Sequence, residues 1–281
     1  MLAILACTLG FLFFIQGYPL LWSFWVSFTD QKIGAQGAFA GADNYIYLLG
    51  NRSFWMAIEF TFIFVFVTVL FKLAGGFLMA FTLNQPLRGR SVFRALLFLP
   101  WALPTLTSVL AWRWMLGDIG GIVNWLLMQV RMIERPVGWL AEPGLARMSV
   151  ALVNIWRGIP FFGISILAGL QAVSPTLYEA AIIDGANARA RLWFVTLPQI
   201  RGIVLLVTLI STIWTMGDFA VIWIMTRGGP ADTTHVFSTL SYLVSFQNLE
   251  VARGIAVSVF VVPIAFAIMF LVMRLIQPKK E

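Results

Sequence analysis

The stretch Leu2–Thr29 reads LAILACTLGFLFFIQGYPLLWSFWVSFT and contains no charged residue. A helix needs about 20 apolar residues to cross about 30 Å of hydrocarbon, because each residue advances it by about 1.5 Å. The stretch is long enough for this. Because the apolar run continues well beyond Cys7, it favours an uncleaved transmembrane helix over a cleaved signal sequence. The sequence therefore predicts a protein that is embedded in a membrane.

The composition of the whole chain agrees with this prediction. Hydrophobic residues make up 60% and charged residues 11% of the 281 residues, and the mean hydropathy is +0.89. A soluble domain carries roughly 25% charged residues, because its surface faces water. The net charge is +7, but no basic stripe with interleaved aromatic residues occurs, so nucleic acid is not an expected partner. Membrane lipid is the expected environment, and the single cysteine excludes an internal disulfide.

Further apolar runs predict the other membrane crossings. Uncharged runs lie at Leu2–Thr29, Ala95–Trp112, Gly158–Tyr178 and Gly254–Met273, and two more spans are Ile58–Leu83, interrupted by Lys72, and Gly202–Thr226, interrupted by Asp218. The fourth helix is expected to begin upstream, near Met148. The runs lack the alternation of barrel strands, so helices are the structure that satisfies the backbone in lipid. The sequence predicts an all-α, polytopic fold with about six transmembrane helices, forming one transmembrane domain over residues 1–281.

The charges between the spans predict the orientation of the chain. With the N-terminus in the cytoplasm, the inner segments hold nine basic residues: Arg88, Arg90, Arg94, Arg189, Arg191, Arg201, Arg274, Lys279 and Lys280. Seven acidic residues then lie outside (Asp30, Asp43, Asp118, Glu134, Glu142, Asp232 and Glu250), against three inside (Glu179, Asp184 and Glu281). Basic residues are enriched on the cytoplasmic side of membrane proteins. Both termini are therefore predicted to be cytoplasmic.

The inner loop between the fourth and fifth spans carries the most distinctive pattern. It lies at about residues 172–201, and Val173–Pro198 reads VSPTLYEAAIIDGANARARLWFVTLP. Ser174 followed by Pro175 predicts a helix start, with a side-chain cap and a proline in the first turn. Gly185 can end that helix or admit a close neighbour. A short amphipathic helix on this side of the membrane predicts a partner with a groove to receive it.

This loop resembles that of the binding-protein-dependent permeases of ATP-binding-cassette (ABC) importers. Their hallmark is Glu-Ala-Ala, three residues, Gly, nine residues, Ile, one residue and Leu-Pro. The chain matches it at Glu179, Ala180, Ala181, Gly185, Leu197 and Pro198, with Val195 in place of isoleucine. The resemblance implies a type I permease fold and a coupling helix, including Asp184, that docks into a cleft of an ATPase subunit. ATP and Mg²⁺ would then be bound by the partner ATPase, and this chain would need no cofactor of its own.

Other stretches are similar to the carbohydrate-type permeases of this family. These are Leu87–Pro100 after the second span, Met225–Pro230 with Thr233 and Thr234, Ser27–Asp30, and Asp43–Tyr45. They most resemble the first permease subunit of the maltose, trehalose and glycerol-3-phosphate importer group. The resemblance implies a bacterial inner-membrane protein that pairs with a second homologous permease and an ATPase dimer. An extracytoplasmic solute-binding protein would deliver a sugar or sugar-like substrate.

Charged side chains within the spans point to a translocation path. A charge at membrane depth costs at least about 2.5–3.5 kcal/mol, so it tends to face a partner or water. Lys72, Arg157 and Asp218 are such residues, and they could be interhelical pairs or substrate contacts. Pro160 predicts a helix break that frees the carbonyl of Trp156, and irregular backbone in a membrane lines cavities. The residues predicted to line the path, where a sugar would find polar groups and aromatic faces, are Asn154, Trp156, Arg157, Trp214 and Asp218.

Other functions fit the sequence less well. An ion-coupled secondary transporter needs intramembrane carboxylates, and only Glu59 and Asp218 qualify. An ABC permease for a solute other than a sugar also stays open. A membrane-embedded enzyme lacks a catalytic cluster: His235, the only histidine, is predicted to be a solvated loop residue rather than a ligand, and no metal site is expected. Gly228–Pro230 lacks the lysine of a phosphate-binding loop.

Overall fold

The computed structural model describes residues 2–86 and 88–276, with the side chains of Leu2 and Ala3 excepted. In that part of the chain the structure is helical, and the helices in chain order are α1 Leu2–Leu12, α2 Tyr18–Ser27, α3 Asp43–Leu49, α4 Arg52–Asn84, α5 Arg90–Ala102, α6 Thr105–Met115, α7 Ile122–Gln129, α8 Pro143–Ala172, α9 Pro175–Ile183, α10 Ala188–Arg191, α11 Leu197–Met216, α12 Phe219–Met225, α13 Phe237–Tyr242 and α14 Val251–Ile276. Leu87 and the charges Lys279, Lys280 and Glu281, which enter the predictions above, lie outside the described residues.

The predicted number of membrane crossings is confirmed. Five helical segments are long and apolar enough to cross a membrane: Ile4–Ser27, Arg52–Asn84, Pro143–Ala172, Ala188–Met216 and Val251–Ile276. The first and the fourth of these run through π-helical turns at Phe13–Gly17 and Leu192–Thr196. Helices α5 and α6 form a sixth crossing if the bent pair is taken as one span. The all-α polytopic fold is therefore present as the sequence indicates.

The third predicted span, Ala95–Trp112, is wrong as a straight helix. Its two halves, α5 and α6, meet at an angle of 89°. Leu103 has ψ 139° and Pro104 has ψ 135°, so both leave the helical conformation. The residue before a proline is pushed towards extended conformations, because the proline ring clashes with its backbone. The apolar run is present as predicted, but its direction changes in the middle.

The break predicted at Pro160 is also wrong, since α8 is continuous through this residue. The helix also begins earlier than predicted, at Pro143 instead of near Met148, and it ends at Ala172, just before the helix start predicted at Ser174 and Pro175. Prolines are tolerated in membrane helices where neighbouring helices hold the structure. Pro160 is buried, and α8 packs closely along α4. A Cβ on Gly163 would lie 2.8 Å from Cγ of Met79, so a side chain at this position would push the two helices apart.

The fifth predicted span, Gly202–Thr226, contains a break that the hydropathy pattern does not reveal. Helix α11 ends at Met216, and α12 begins at Phe219. Asp218 lies between them and caps α12, because its Oδ1 accepts a hydrogen bond of 3.2 Å from the backbone N–H of Val221. Aspartate is among the preferred capping residues at a helix N-terminus. Trp214 and Asp218 are therefore not on one continuous helix, and the prediction of an unbroken span is wrong.

Two of the three apolar clusters of the described residues lie along the length of α4 and α8. One joins α4 and α6 to α8 and α12, and it contains Phe60, Val109, Val150 and Ile222. The other joins α4 and α8 to α11, and it contains Met79, Phe162, Ile166 and Ile200. Only α4 and α8 contribute to both clusters. The two long helices therefore connect these clusters. The breaks in the third and fifth spans lie beside them.

His235 is buried, with 1% of its surface exposed, so the prediction of a solvated residue is wrong. Its Nδ1 lies 3.1 Å from Oγ1 of Thr239, and its ring fills the space that a side chain on Gly228 would occupy. Burial lowers the pKa of His235, while the carboxylate of Asp232, 3.6 Å from Nε2, opposes this shift. The histidine is a packing residue of the loop between α12 and α13.

Candidate functional site

A cavity of about 210 Å³ lies among α4, α5, α8 and α11, at the break between α11 and α12. We call it the central cavity. It is lined by Lys72, Trp101, Asn154, Arg157, Gly158, Phe161, Ser211, Trp214, Thr215 and Asp218. Four of the five residues predicted for the path therefore line one cavity: Asn154, Arg157, Trp214 and Asp218.

Trp156 does not line the cavity. Its ring packs edge-on against Trp112, with 5.4 Å between the ring centroids. The helical period explains this: Asn154, Arg157, Gly158 and Phe161 follow the spacing i, i+3, i+4, i+7 and share one face of α8. Trp156 falls between these positions. Ser211, Trp214 and Thr215 have the corresponding spacing on α11, so the helical period could have identified Phe161, Ser211 and Thr215 from the sequence.

Lys72 is the most deeply buried charged side chain of the cavity, with 4% of its surface exposed. Its Nζ donates a hydrogen bond of 2.9 Å to Oγ1 of Thr215, which links α4 to α11. Gly158 makes room for the lysine, because a Cβ at that position would lie 2.6 Å from Cδ and Cε of Lys72. A lysine ammonium has three N–H donors, and Thr215 takes one of them.

Asp218 is satisfied by neutral donors. The side-chain amide of Asn154 donates a hydrogen bond of 2.7 Å to Oδ2, and the backbone of Val221 donates to Oδ1. The carboxylate therefore joins α8 to the break in the fifth span. Among the described residues, the ion pairs within 4.0 Å are Arg147–Glu59, His235–Asp232 and Arg253–Glu250. Asp218 is thus near Lys72 and Arg157 without forming a direct ion pair.

Arg157 connects the cavity to the other break. Its Nη2 donates a hydrogen bond of 2.6 Å to Oγ1 of Thr105, the first residue of α6. Its Nε is buried and has no hydrogen-bond partner, and the same holds for Oδ1 of Asn154. Buried polar atoms are normally paired. These two buried atoms beside the cavity therefore have no partner among the described residues.

Aromatic side chains form the rest of the wall. Trp214 is 58% exposed and packs against Phe161, with 5.2 Å between their centroids. Trp101, near the end of α5, is also exposed. No sequence pattern singles out Trp101, because its distance from the cavity depends on the bend after α5. Aromatic faces beside free polar groups can bind the ring of a sugar and its hydroxyl groups.

The predicted coupling segment forms a second candidate site. Helix α9 begins with Pro175 and is followed by Gly185, which has φ +76°. The helix start is confirmed, but the predicted cap is wrong: the Ser174 hydroxyl bonds to Oγ1 of Thr176 at 2.7 Å and not to the backbone. An added Cβ on Gly185 meets no atom within 4 Å. Within this chain, the positive φ is the reason for glycine there.

The side chains of α9 point mainly to solvent. Glu179, Ala180, Asp184 and Gly185 are exposed, and Ala181 is half-buried. Ile183 is 85% exposed and Ile182 is also exposed, so the helix presents an apolar surface that the described residues do not cover. This arrangement is typical of a helix that packs against another protein.

A polar contact ties α9 to the start of α11. The hydroxyl of Tyr178 lies 3.1 Å from Oγ1 of Thr196, and Thr196 is buried. Leu197 follows it and packs against the apolar cluster of α4, α8 and α11, whereas Pro198 is exposed. The sequence motif includes Leu197 and Pro198 but assigns no role to Tyr178 or Thr196.

Proteins with established names are similar to this chain in sequence. Residues 72–281 match the family described as binding-protein-dependent transport system inner membrane component. The trehalose/maltose transport system permease protein MalF of Thermococcus litoralis is 34% identical over 257 residues, which is 90% of this chain and 86% of that protein. The lactose transport system permease protein LacF of Rhizobium radiobacter is 32% identical over 233 residues, or 82% of this chain and 78% of that protein.

The fold is also that of a solved transporter. A chain of the bacterial alginate ABC transporter, in complex with an alginate pentasaccharide-bound periplasmic protein, superimposes with a TM-score of 0.83. It is 22% identical, and the match covers 98% of this chain and 94% of that one. The match of three quarters of the chain to one family and the identity to its members decide against an ion-coupled transporter and an enzyme. The chain belongs to the inner-membrane components of binding-protein-dependent transport systems and is a permease subunit of an ABC importer.

Proposed function

We propose that this permease carries a sugar or sugar-like solute through the central cavity, together with a second homologous permease. The observation that carries this proposal is the lining of the cavity, which combines aromatic side chains (Trp101, Phe161 and Trp214) with polar ones (Lys72, Asn154 and Arg157). The cavity measures about 210 Å³, below the roughly 300–1,000 Å³ of most ligand pockets. A second subunit facing Trp101 and Trp214 would complete it. The permeases MalF and LacF, named for trehalose/maltose and lactose transport, support a carbohydrate.

The energy for transport comes, in this proposal, from a partner ATPase dimer that binds ATP and Mg²⁺. The exposed isoleucines and the small residues of α9 suit a groove on such a partner. Movement of the ATPase would pull on α9, and the contact of Tyr178 with Thr196 would pass that movement to α11. Because Ser211, Trp214 and Thr215 lie on α11, this path leads from the ATPase to the cavity. The binding protein would deliver the solute at the opposite side.

Trp214, which lines the cavity, and Trp156, which does not, give a direct test of the path. Trp214→Ala removes an aromatic face from the cavity, whereas Trp156→Ala removes one that packs on Trp112 outside it. We expect uptake by Trp214→Ala to fall about tenfold, the effect of losing roughly 1.4 kcal/mol of contact with the solute. Uptake of radiolabelled maltose, lactose or maltobionate, whichever the wild-type importer takes up, measures this in cells with the complete importer at matched expression. A larger loss in Trp156→Ala than in Trp214→Ala would place the path elsewhere.

The proposed orientation places α9 and both termini in the cytoplasm. In a Cys7→Ser background, we expect Ile119→Cys, at a residue that is 99% exposed, to react with a membrane-impermeant maleimide in intact cells. Arg189→Cys, which lies between α9 and α11, should react only after the cells are opened. Reaction of both cysteines in intact cells would contradict the proposed topology, and so would reaction of neither.

A further inference from the structure

The charges that line the central cavity do not balance. Lys72 and Arg157 contribute two positive charges and Asp218 contributes one negative charge. The net charge of the lining is therefore +1. A cavity with low-dielectric walls concentrates the field of such a charge and enriches ions of the opposite sign. A solute in the cavity would therefore experience a positive electrostatic potential.

The hydrogen bonds strengthen this imbalance. The acceptor oxygens of Asp218 are occupied by Asn154 and Val221, while Nζ of Lys72 has one hydrogen bond, to Thr215. The guanidinium of Arg157 has one hydrogen bond as well, from Nη2 to Thr105. The carboxylate is thus satisfied by neutral groups, and the two cations keep donors that nothing in the described chain uses. Only one carboxylate, that of Asp218, faces the two cations in the lining of the cavity.

We propose that the solute carries an oxyanion, a carboxylate or a phosphate, which passes between Lys72 and Arg157 on its way through the cavity. An oxyanion would accept hydrogen bonds from the two cations and would offset the surplus positive charge. Charge-assisted hydrogen bonds to lysine and arginine are about twice as strong as neutral ones. The aromatic side chains Trp101 and Trp214 would hold the sugar ring beside the charged group. This inference rests on the proposed function, because it treats the central cavity as part of the path.

The charge of the cavity can be measured without knowing the natural solute. Ser211 lines the cavity, so in a Cys7→Ser background Ser211→Cys places a thiol in it. The full importer is placed in nanodiscs of phosphatidylcholine, which contain no anionic lipid that could compete. The rates of modification by an anionic and by a cationic methanethiosulfonate reagent are then compared. The control is Ser258→Cys, in a groove that is lined by Ile213, Met216, Gly217, Phe237, Ser238, Val261 and Ala265 and has no charged lining residue.

We expect the ratio of anionic to cationic rates at residue 211 to exceed that at residue 258 by about tenfold or more. Lys72→Met should remove most of this excess. Arg157→Gln should reduce it too, and it leaves the hydrogen bond between Lys72 and Thr215 in place, so a packing defect at Lys72 cannot account for both results. Equal ratios at residues 211 and 258 would overturn the proposal.

A matched pair of sugars tests whether the charge selects a solute. Maltobionate, the acid obtained by oxidising the reducing end of maltose, should slow modification of Ser211→Cys at millimolar concentration. Maltose at the same concentration should protect at least tenfold less well. Equal protection by both, or protection by neither, would overturn the preference for an oxyanion. Whether modification at residue 211 blocks uptake is a separate measurement, and it tests the proposed path even if the preference is absent.

Discussion

Gly185→Asp is expected to reduce the amount of ATPase that co-purifies with the permease by at least about tenfold. Gly185 is exposed on the segment after α9 and has φ +76°. If an ATPase groove covers this segment, the new carboxylate would be buried without a partner, at a cost of about 1–3 kcal/mol or more. For a charged group the cost lies at the upper end of this range or above it, and about 1.4 kcal/mol already corresponds to a tenfold loss of affinity. Glu179→Lys should act in the same direction, because it reverses a charge on the same surface.

Gly120 provides the matched control for this variant. It has φ +73°, and an added Cβ there also meets no atom within 4 Å. Gly120→Asp therefore introduces the same side chain into the same backbone conformation, but at the other end of the bundle. We expect Gly120→Asp to retain the ATPase. Equal loss in the two glycine variants would mean that backbone strain, and not an interface at α9, causes the effect, and full retention in both would exclude the interface.

Asp218→Ala is expected to abolish most uptake and to destabilise the permease. The change removes the cap of α12, worth about 1 kcal/mol, and leaves the amide of Asn154 without its acceptor, at a cost of about 1–3 kcal/mol. It also leaves Lys72 and Arg157 without a nearby carboxylate. Heating the detergent-solubilised importer and following the aggregation of this subunit measures the stability, and uptake by cells measures the transport.

Asp218→Asn separates the two roles of this residue. Asparagine is as good a capping residue as aspartate, and it can still accept a hydrogen bond from Asn154. We expect Asp218→Asn to keep most of the thermal stability that the alanine variant loses, while uptake changes because the cavity becomes more positive. If Asp218→Asn is as unstable as Asp218→Ala, the charge and not the cap holds the break between α11 and α12.

Much of the fold and the family is predictable from the sequence, because both depend on local and additive properties. Hydropathy predicts the membrane spans through the length of each apolar run, and the Glu179–Pro198 spacing identifies the family. The directions of the helices are less predictable. Pro104 and Pro160 both interrupt apolar runs, yet only the first lies at a bend, because Pro160 is held in a helix that packs along α4.

The candidate site is predictable in part for a similar reason. Buried charges must have partners, so the positions of Lys72, Arg157 and Asp218 within apolar runs are enough to indicate a shared site. The assumption that the carboxylate lies within a helix is wrong, because aspartate can also cap one, and the sequence alone allows both options. Trp156 is a neighbour of Arg157 along the chain, whereas the cavity follows one face of α8 and includes Phe161 instead.

The segments that follow the two helix breaks, α6 and α12, are in contact with each other. Helices α6 and α12 follow the two breaks, share the apolar cluster of Val109 and Ile222, and are joined by a hydrogen bond of 3.0 Å from Arg113 to the carbonyl of Ile224. The two segments are therefore held to each other, and the same cluster holds them to α4 and α8. From α8, the side chain of Arg157 reaches the break between α5 and α6, and the side chain of Asn154 reaches the break between α11 and α12. A solute that takes hydrogen bonds from Arg157 and Asn154 would therefore compete with the contacts that α8 makes to both breaks, so solute binding and the packing of α6 and α12 are coupled.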